Sequence, residues 1–140
     1  MSIYAVIDTN VIVSSLLTHD VESPTVGIIK AICEKRLVPL YSDYLLSEYA
    51  AVLTRSKFSL PKDVCGGILS MITESGIRFE PSNSSTDLPD PDDVPIYLMA
   101  METRNLNSYL VTGNVRHFPK EEYIVTPKKM MELLQEGGQD

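Results

Sequence analysis

Acidic residues at three separated places in this chain could together carry out metal-dependent chemistry on a phosphate group. Asp8 follows an apolar run, Glu48 lies in a segment with helical periodicity, and the segment 90–93 reads DPDD. Oxygen ligands of this kind suit Mg²⁺ or Mn²⁺ better than Zn²⁺. If the fold brings the three places together, their chemistry is phosphoryl transfer or phosphodiester hydrolysis.

Asp8 is the most informative of these acids because of the segment before it. Residues 3–7 are an unbroken apolar run, as expected for a strand buried on both faces of a parallel sheet. Ligands bind such sheets just beyond the carboxyl ends of the strands, so we expect Asp8 at that edge. The segment 109–114 (YLVTGN) repeats the pattern, which predicts substrate-binding roles for Thr112 and Asn114. Asn10, two residues after Asp8, is also a candidate substrate-binding residue. An ordinary turn with Asn114 in a left-handed conformation explains the second segment equally well.

Glu48 falls in a predicted helix over residues 43–54. The apolar stripe of this helix is formed by Leu45, Tyr49 and Val52, and Glu48 lies at its border. A glutamate there can reach over the end of the sheet while its backbone is anchored by packing. The alternative is a solvated helix glutamate, which is common on protein surfaces.

The DPDD segment precedes a predicted helix that starts near Val94. An aspartate is a favoured N-cap, but a cap explains one carboxylate and not three. A cation would relieve the repulsion among Asp90, Asp92 and Asp93. Asp93 is the preferred ligand, Asp90 is the competing assignment, and Asp92 is expected to be solvated.

Composition limits the remaining possibilities. With 140 residues, 44% of them apolar, the chain is expected to form a single domain over residues 1–136, followed by a flexible tail over 137–140. No apolar stretch reaches the length of a membrane span, and we expect a cytoplasmic protein. The net charge of −7 argues against a protein that coats nucleic acid, but not against an enzyme that acts on it. His19 and His117 fall in unrelated predicted loops and are expected to be surface residues.

Strands and helices alternate along the chain, which predicts an α/β fold: a three-layer α/β/α sandwich around a central, mostly parallel sheet. The strand predicted over residues 37–41 contains Pro39, which is expected to place that strand at an edge or at a bulge.

Four segments in order resemble a PIN domain, the nuclease fold found in toxin components of type II toxin–antitoxin pairs. They are VIDTNVIVSSLL at the start, SEYAAVLTRSKF in the middle, the acidic DPDD, and YLVTGNVRHFP near the end. Together they span most of the chain in the expected strand and helix contexts. The likeness is closest to the subgroup of PIN-family toxins.

The resemblance implies a ribonuclease that depends on Mg²⁺ or Mn²⁺. By motif match, Asp8 is the first acidic ligand, Glu48 the second and Asp93 the third, with Asp90 as the competing third. Asn114 matches the place where many members carry a fourth aspartate, which argues against a second tightly bound metal ion. The implied partners are RNA, an antitoxin protein and a second copy of the chain.

Two other readings remain open beside this one. The chain could be a catalytically weak or inactive PIN-fold module that binds RNA or protein, and Asn114 is the residue in its favour. It could also be a phosphatase with Asp8 as nucleophile, although such sites require a second aspartate at the position that Asn10 occupies here. For the nuclease reading, Arg116 and Lys120, and also Arg55 and Lys57, are candidates for contacts to the RNA backbone, or else solvated surface charges.

Overall fold

The fold was taken from a computed structural model, which describes residues 2–82, 86 and 88–137. The strands are β1 (Ile3–Ile7), β2 (Leu37–Tyr41), β3 (Ile77–Arg78), β4 (Tyr109–Val111) and β5 (Ile124–Val125). The helices are α1 (Thr9–Leu17), α2 (Pro24–Cys33), α3 (Asp43–Leu53), α4 (Lys62–Ser75), α5 (Val94–Glu102) and α6 (Pro127–Gly137). Short 3-10 turns cover Ser56–Phe58, Pro91–Asp93, Arg104–Leu106 and Val115–His117.

The five strands form one parallel sheet in the order β3-β2-β1-β4-β5. The central strand β1 pairs with β2 from Ile3↔Leu37 onward and with β4 up to Ile7↔Val111. Because both pairings are parallel, the carboxyl ends of β1 and β4 meet at the same edge of the sheet. The residues that follow these two strands, Asp8 and Thr112, are therefore neighbours.

Apolar side chains from the sheet and the helices make one continuous core. The inner residues of β1 and β4 are at most 1% exposed, and α5 packs against both strands while α2 and α4 contact β2. Strands buried this completely need helices as cover, which is the physical basis of the layered arrangement. A parallel sheet with six helices confirms the predicted α/β/α fold class.

The expectation for Pro39 was wrong, because β2 lies inside the sheet between β1 and β3. The ladder to β3 begins at Leu40↔Ile77, one residue beyond Pro39. The missing N–H of Pro39 therefore costs no ladder hydrogen bond on that side. Gly76 occupies the space there, and a Cβ on it would lie 2.3 Å from the Pro39 carbonyl oxygen. Only glycine fits so close to the backbone of the proline.

The carboxyl-terminal helix α6 includes Gly137, the first residue of the predicted tail, and residues 138–140 of that tail lie outside the described part of the chain. The single domain over residues 1–136 stays a prediction. Among the described residues, no helix combines the length and the apolar character needed to cross a bilayer.

Candidate functional site

Asp8 occupies the turn between β1 and α1. Its N–H donates to the carbonyl oxygen of Val111 at 2.9 Å, which continues the β1–β4 contact one residue past the strand. Helix α1 begins at Thr9, so that Asp8 is its N-cap residue. The Asp8 side chain makes no capping hydrogen bond. Its carboxylate is therefore available to the edge of the sheet.

A small hydrogen-bond network holds the Asp8 carboxylate in place. Asp8 Oδ2 accepts from Thr112 Oγ1 at 2.8 Å and from Asn10 Nδ2 at 3.4 Å. The N–H of Asn114 donates to Thr112 Oγ1 at 3.0 Å, and the N–H of Gly113 donates to Asn10 Oδ1 at 3.3 Å. The structure thus brings Asn10, Thr112 and Asn114 to Asp8. Asn114 has a φ of −121° and is not left-handed, so the alternative turn conformation was wrong.

The environment of Asp8 makes its negative charge costly. Burial raises the pKa of the Asp8 carboxyl, and this effect outweighs the hydrogen bond from Thr112, the backbone N–H groups of Asn10 and Thr9, and the charge of His117, all of which lower it. A carboxylate with a raised pKa at the rim of a parallel sheet is a candidate for a functional group. A nearby cation would favour its ionised form.

Asp93 is the second carboxylate at this edge. It lies between the 3-10 turn Pro91–Asp93 and α5, and its side chain is 16% exposed. Among the described residues, its buried Oδ2 has no hydrogen-bond partner, and His117 Nδ1 lies 3.5 Å from it. Burial raises the pKa of Asp93, and the charges of Asp8 and Asp90 raise it further, whereas His117 lowers it. A buried carboxylate oxygen without a hydrogen bond, close to the charge of a second carboxylate, fits a cation ligand.

The other two aspartates of DPDD have different surroundings. Asp90 Oδ1 accepts the N–H of Asp92 at 3.0 Å, so that Asp90 caps the 3-10 turn. Both side chains are exposed, whereas Asp93 is partly buried. The geometry therefore favours Asp93 over Asp90 as the inward-facing group and leaves Asp92 in solvent.

Glu48 lies on α3 and is half-buried. One turn earlier on the same helix, Tyr44 lies near both Glu48 and the DPDD segment. Burial is the main cause that raises the pKa of Tyr44, and the negative charges of nearby acids raise it further: Glu48, Asp92, Asp90 and Asp93. Within the described residues, however, no three Asp, Glu, His or Cys side chains are close enough together to form a ligand set for a metal ion. The structure brings Asp8 and Asp93 together, with Glu48 nearby but not in one cluster with them.

Two residues at this edge were missed by the sequence reasoning. His117 was assigned to an unrelated loop, but the turn Val115–His117 places it beside Asp93, with 48% of its side chain exposed. Tyr49 is buried, and its hydroxyl donates to the carbonyl oxygen of Ile7 at the end of β1. Of the two, only Tyr49 could have been found from the sequence, because a buried tyrosine in an apolar stripe needs a hydrogen-bond partner for its hydroxyl.

The chain is an α/β protein with two carboxylates at the carboxyl edge of its parallel sheet, the edge at which proteins of this class in general bind ligands. The family model described as PIN domain matches residues 4–116. The chain therefore belongs to the PIN domain family, as the four sequence segments indicated. No curated protein and no solved structure matches it significantly. PIN domains are in general metal-dependent nucleases, so the match supports a function of the nuclease type.

Proposed function

We propose that this chain is a metal-dependent endoribonuclease that hydrolyses RNA phosphodiester bonds and serves as the toxin of a toxin–antitoxin pair. The observation that supports this most is the buried Oδ2 of Asp93, which lacks a hydrogen-bond partner in the described chain and belongs to a carboxyl whose pKa is raised by the charge of Asp8 as well as by burial. An antitoxin protein, a homodimer and a cytoplasmic location belong to the same proposal, as does a single domain over residues 1–136.

Asp8, Glu48 and Asp93 would hold Mg²⁺ or Mn²⁺, with Asp90 as the lesser candidate. The donor set is oxygen only, as these ions prefer. Glu48 makes no side-chain hydrogen bond or ion pair with any described residue, so its side chain is free to turn toward the other two acids. When bound, the ion supplies a Lewis acid that lowers the pKa of water and stabilises the charge of a phosphorane-like transition state.

The residues around the acids position the carboxylates and the RNA. Thr112 fixes the Asp8 carboxylate by donating its hydroxyl to Oδ2. Asn10 and Asn114 lie close enough to that network to orient a phosphate oxygen, and Arg116 follows within two residues to contact the RNA backbone. Glu48 orients the attacking water or accepts its proton.

The test is cleavage of a mixed RNA substrate with Mg²⁺ and then Mn²⁺. Wild type is compared with Asp8→Asn, Asp93→Asn and Glu48→Gln, and with Asp63→Asn as a matched control on the exposed first turn of α4. We expect the three site variants to lose at least about 100-fold in rate, because each removes a charged ligand, and the control to keep full activity. A fully active, metal-responsive Asp8→Asn would refute the proposal.

The second candidate function is a non-catalytic PIN-fold module that binds RNA or protein. Two observations favour it: Asn114 stands where many family members carry a fourth acid, and the described residues include no preformed set of three metal ligands. Retention of RNA without cleavage across several metal ions would support this function.

Growth arrest on expression of wild type, but not of Asp8→Asn, would support the toxin role.

A further inference from the structure

A second concave feature lies at the same edge of the sheet as the acidic residues. It is a cavity of about 510 Å³ between the turn Val115–His117 and the start of α6. Its floor is apolar and is made mainly by Phe118, Ile124 and Val125, each less than 9% exposed. Its volume lies within the roughly 300–1,000 Å³ of small-molecule sites. We call this feature the β5 cavity.

The rim of the β5 cavity carries Arg116, Lys120 and Lys129, all exposed. Within the described chain, none of these three side chains takes part in an ion pair or a hydrogen bond. Glu121 is the acid among the lining residues, so the rim is cationic in a chain whose net charge is −7. Unpaired cations around an apolar floor are complementary to a ligand with an anionic group and a flat apolar body.

The β5 cavity and the acidic edge are joined by residues that contact both of them, or by direct neighbours in the chain. The N–H of Thr112 donates to the carbonyl oxygen of Val125 in the cavity floor at 3.0 Å, while its hydroxyl donates to Asp8. In the same way, His117 faces Asp93 and its neighbour Arg116 faces the cavity. The ends of β4 and β5 and the turn Val115–His117 therefore adjoin both the acidic edge and the cavity.

We propose that the β5 cavity binds one nucleotide of the RNA strand, next to the phosphate at the acidic edge. The base lies on the apolar floor and the flanking phosphates contact Lys120 and Lys129. Aromatic and apolar floors with cationic rims bind single strands through base contacts and phosphate contacts together. This inference rests on the proposed nuclease function, since it assigns a binding position to the same substrate.

The phosphate contacts are tested by binding of a short, fluorescently labelled single-stranded RNA, with chelator present so that no cleavage occurs. The full-length double variant Lys120→Gln/Lys129→Gln is compared with Lys30→Gln/Lys62→Gln, which removes two exposed lysines elsewhere. We expect an affinity about tenfold lower for the cavity variant. Its slope of log affinity against log salt should be less negative by roughly 1.4, as two lost contacts to a single strand predict. Equal binding by both double variants would overturn the proposal.

The base contact is tested with the same RNA carrying one abasic position, moved along the strand. We expect wild type to lose about fivefold or more in affinity when the abasic position enters the cavity. A flat profile would overturn the base contact. If the cavity variant loses binding of a glutamate-rich peptide but keeps that of RNA, the cavity serves a protein partner and the proposal is wrong. Binding as expected without cleavage in any metal would refute the nuclease function and leave the nucleotide site standing.

Discussion

The two carboxylates that approach each other at the edge of the sheet are held in opposite ways. Asp8 Oδ2 accepts hydrogen bonds from Thr112 and Asn10, whereas Asp93 Oδ2 has no hydrogen-bond partner among the described residues. Burial nevertheless raises the pKa of both. Hydrogen bonds within the chain therefore position the Asp8 carboxylate, whereas Asp93 Oδ2 is met by the ring of His117, whose Nδ1 lies 3.5 Å away.

The origin of this difference is in the elements that carry the two residues. Asp8 ends the central strand of the sheet, and its backbone is bonded to β4 on one side and begins α1 on the other. Asp93 ends a 3-10 turn that is capped by the side chain of Asp90, so the Asp93 side chain does not serve as the cap of that turn. Strand pairing and side-chain hydrogen bonds therefore constrain the Asp8 carboxylate, whereas the 3-10 turn constrains the Asp93 side chain less.

The largest effect that would sharpen the comparison is stabilisation by metal. If Asp8 and Asp93 bind the same ion, Mn²⁺ at about 100 times its Kd should raise the free energy of unfolding by about 2.7 kcal/mol. For a chain of this size we expect a rise in Tm of roughly 10 °C. Thermal unfolding with and without Mn²⁺ measures it. Asp8→Asn and Asp93→Asn should abolish the shift and Asp63→Asn should keep it; a shift of the same size in Asp93→Asn would remove that residue from the site.

A smaller effect is expected when the support of Asp8 is removed. Thr112→Val keeps the shape of a fully buried side chain but deletes the donor to Asp8 and the acceptor for the N–H of Asn114. We expect unfolding to cost about 1–2 kcal/mol less, measured by denaturant titration, and RNA cleavage to slow about tenfold. Thr112→Ser keeps the hydroxyl and should restore the cleavage rate. If Thr112→Val cleaves like wild type, the network does not position Asp8.

The smallest effect is a dependence of stability on pH. Because the folded-state pKa of Asp8 lies above its ordinary value of 3.8, the native state binds this proton more tightly than the unfolded state does. The stabilising contribution of the protonated carboxyl is complete below pH 3.8 and is lost as the pH rises through the folded-state pKa. Without metal, Asp8→Asn should therefore gain stability relative to wild type over that window and keep the gain at higher pH. Denaturant unfolding at a series of pH values measures this; a difference independent of pH would contradict the raised pKa.

The part of the site attached to strand ends was predictable from the sequence. An apolar run that stops at a carboxylate fixes both a buried strand and the edge to which Asp8 belongs, and the run before Thr112 does the same for β4. Parallel pairing then makes neighbours of these two residues although they are far apart in the chain. A continuous apolar run was sufficient here because a strand buried on both faces is apolar at every position.

What the sequence could not give depends on how irregular segments pack. The approach of His117 to Asp93 is set by the 3-10 turn after β4, and no periodic pattern marks such a turn. The interior position of β2 was missed because Pro39 was judged without knowing where β3 begins. The β5 cavity likewise arises from the relative placement of a turn, a strand and a helix, so no single segment carries its signal.

The strands at the two borders of the sheet, β3 and β5, are the shortest that the structure describes. Each has two residues, whereas the three strands between them have three to five. A border strand so short offers an incoming strand very few open N–H and C=O groups, and Arg78 adds a charge to the β3 side. Growth of the sheet by strand addition, the usual route to aggregation of β structure, is therefore disfavoured at both ends.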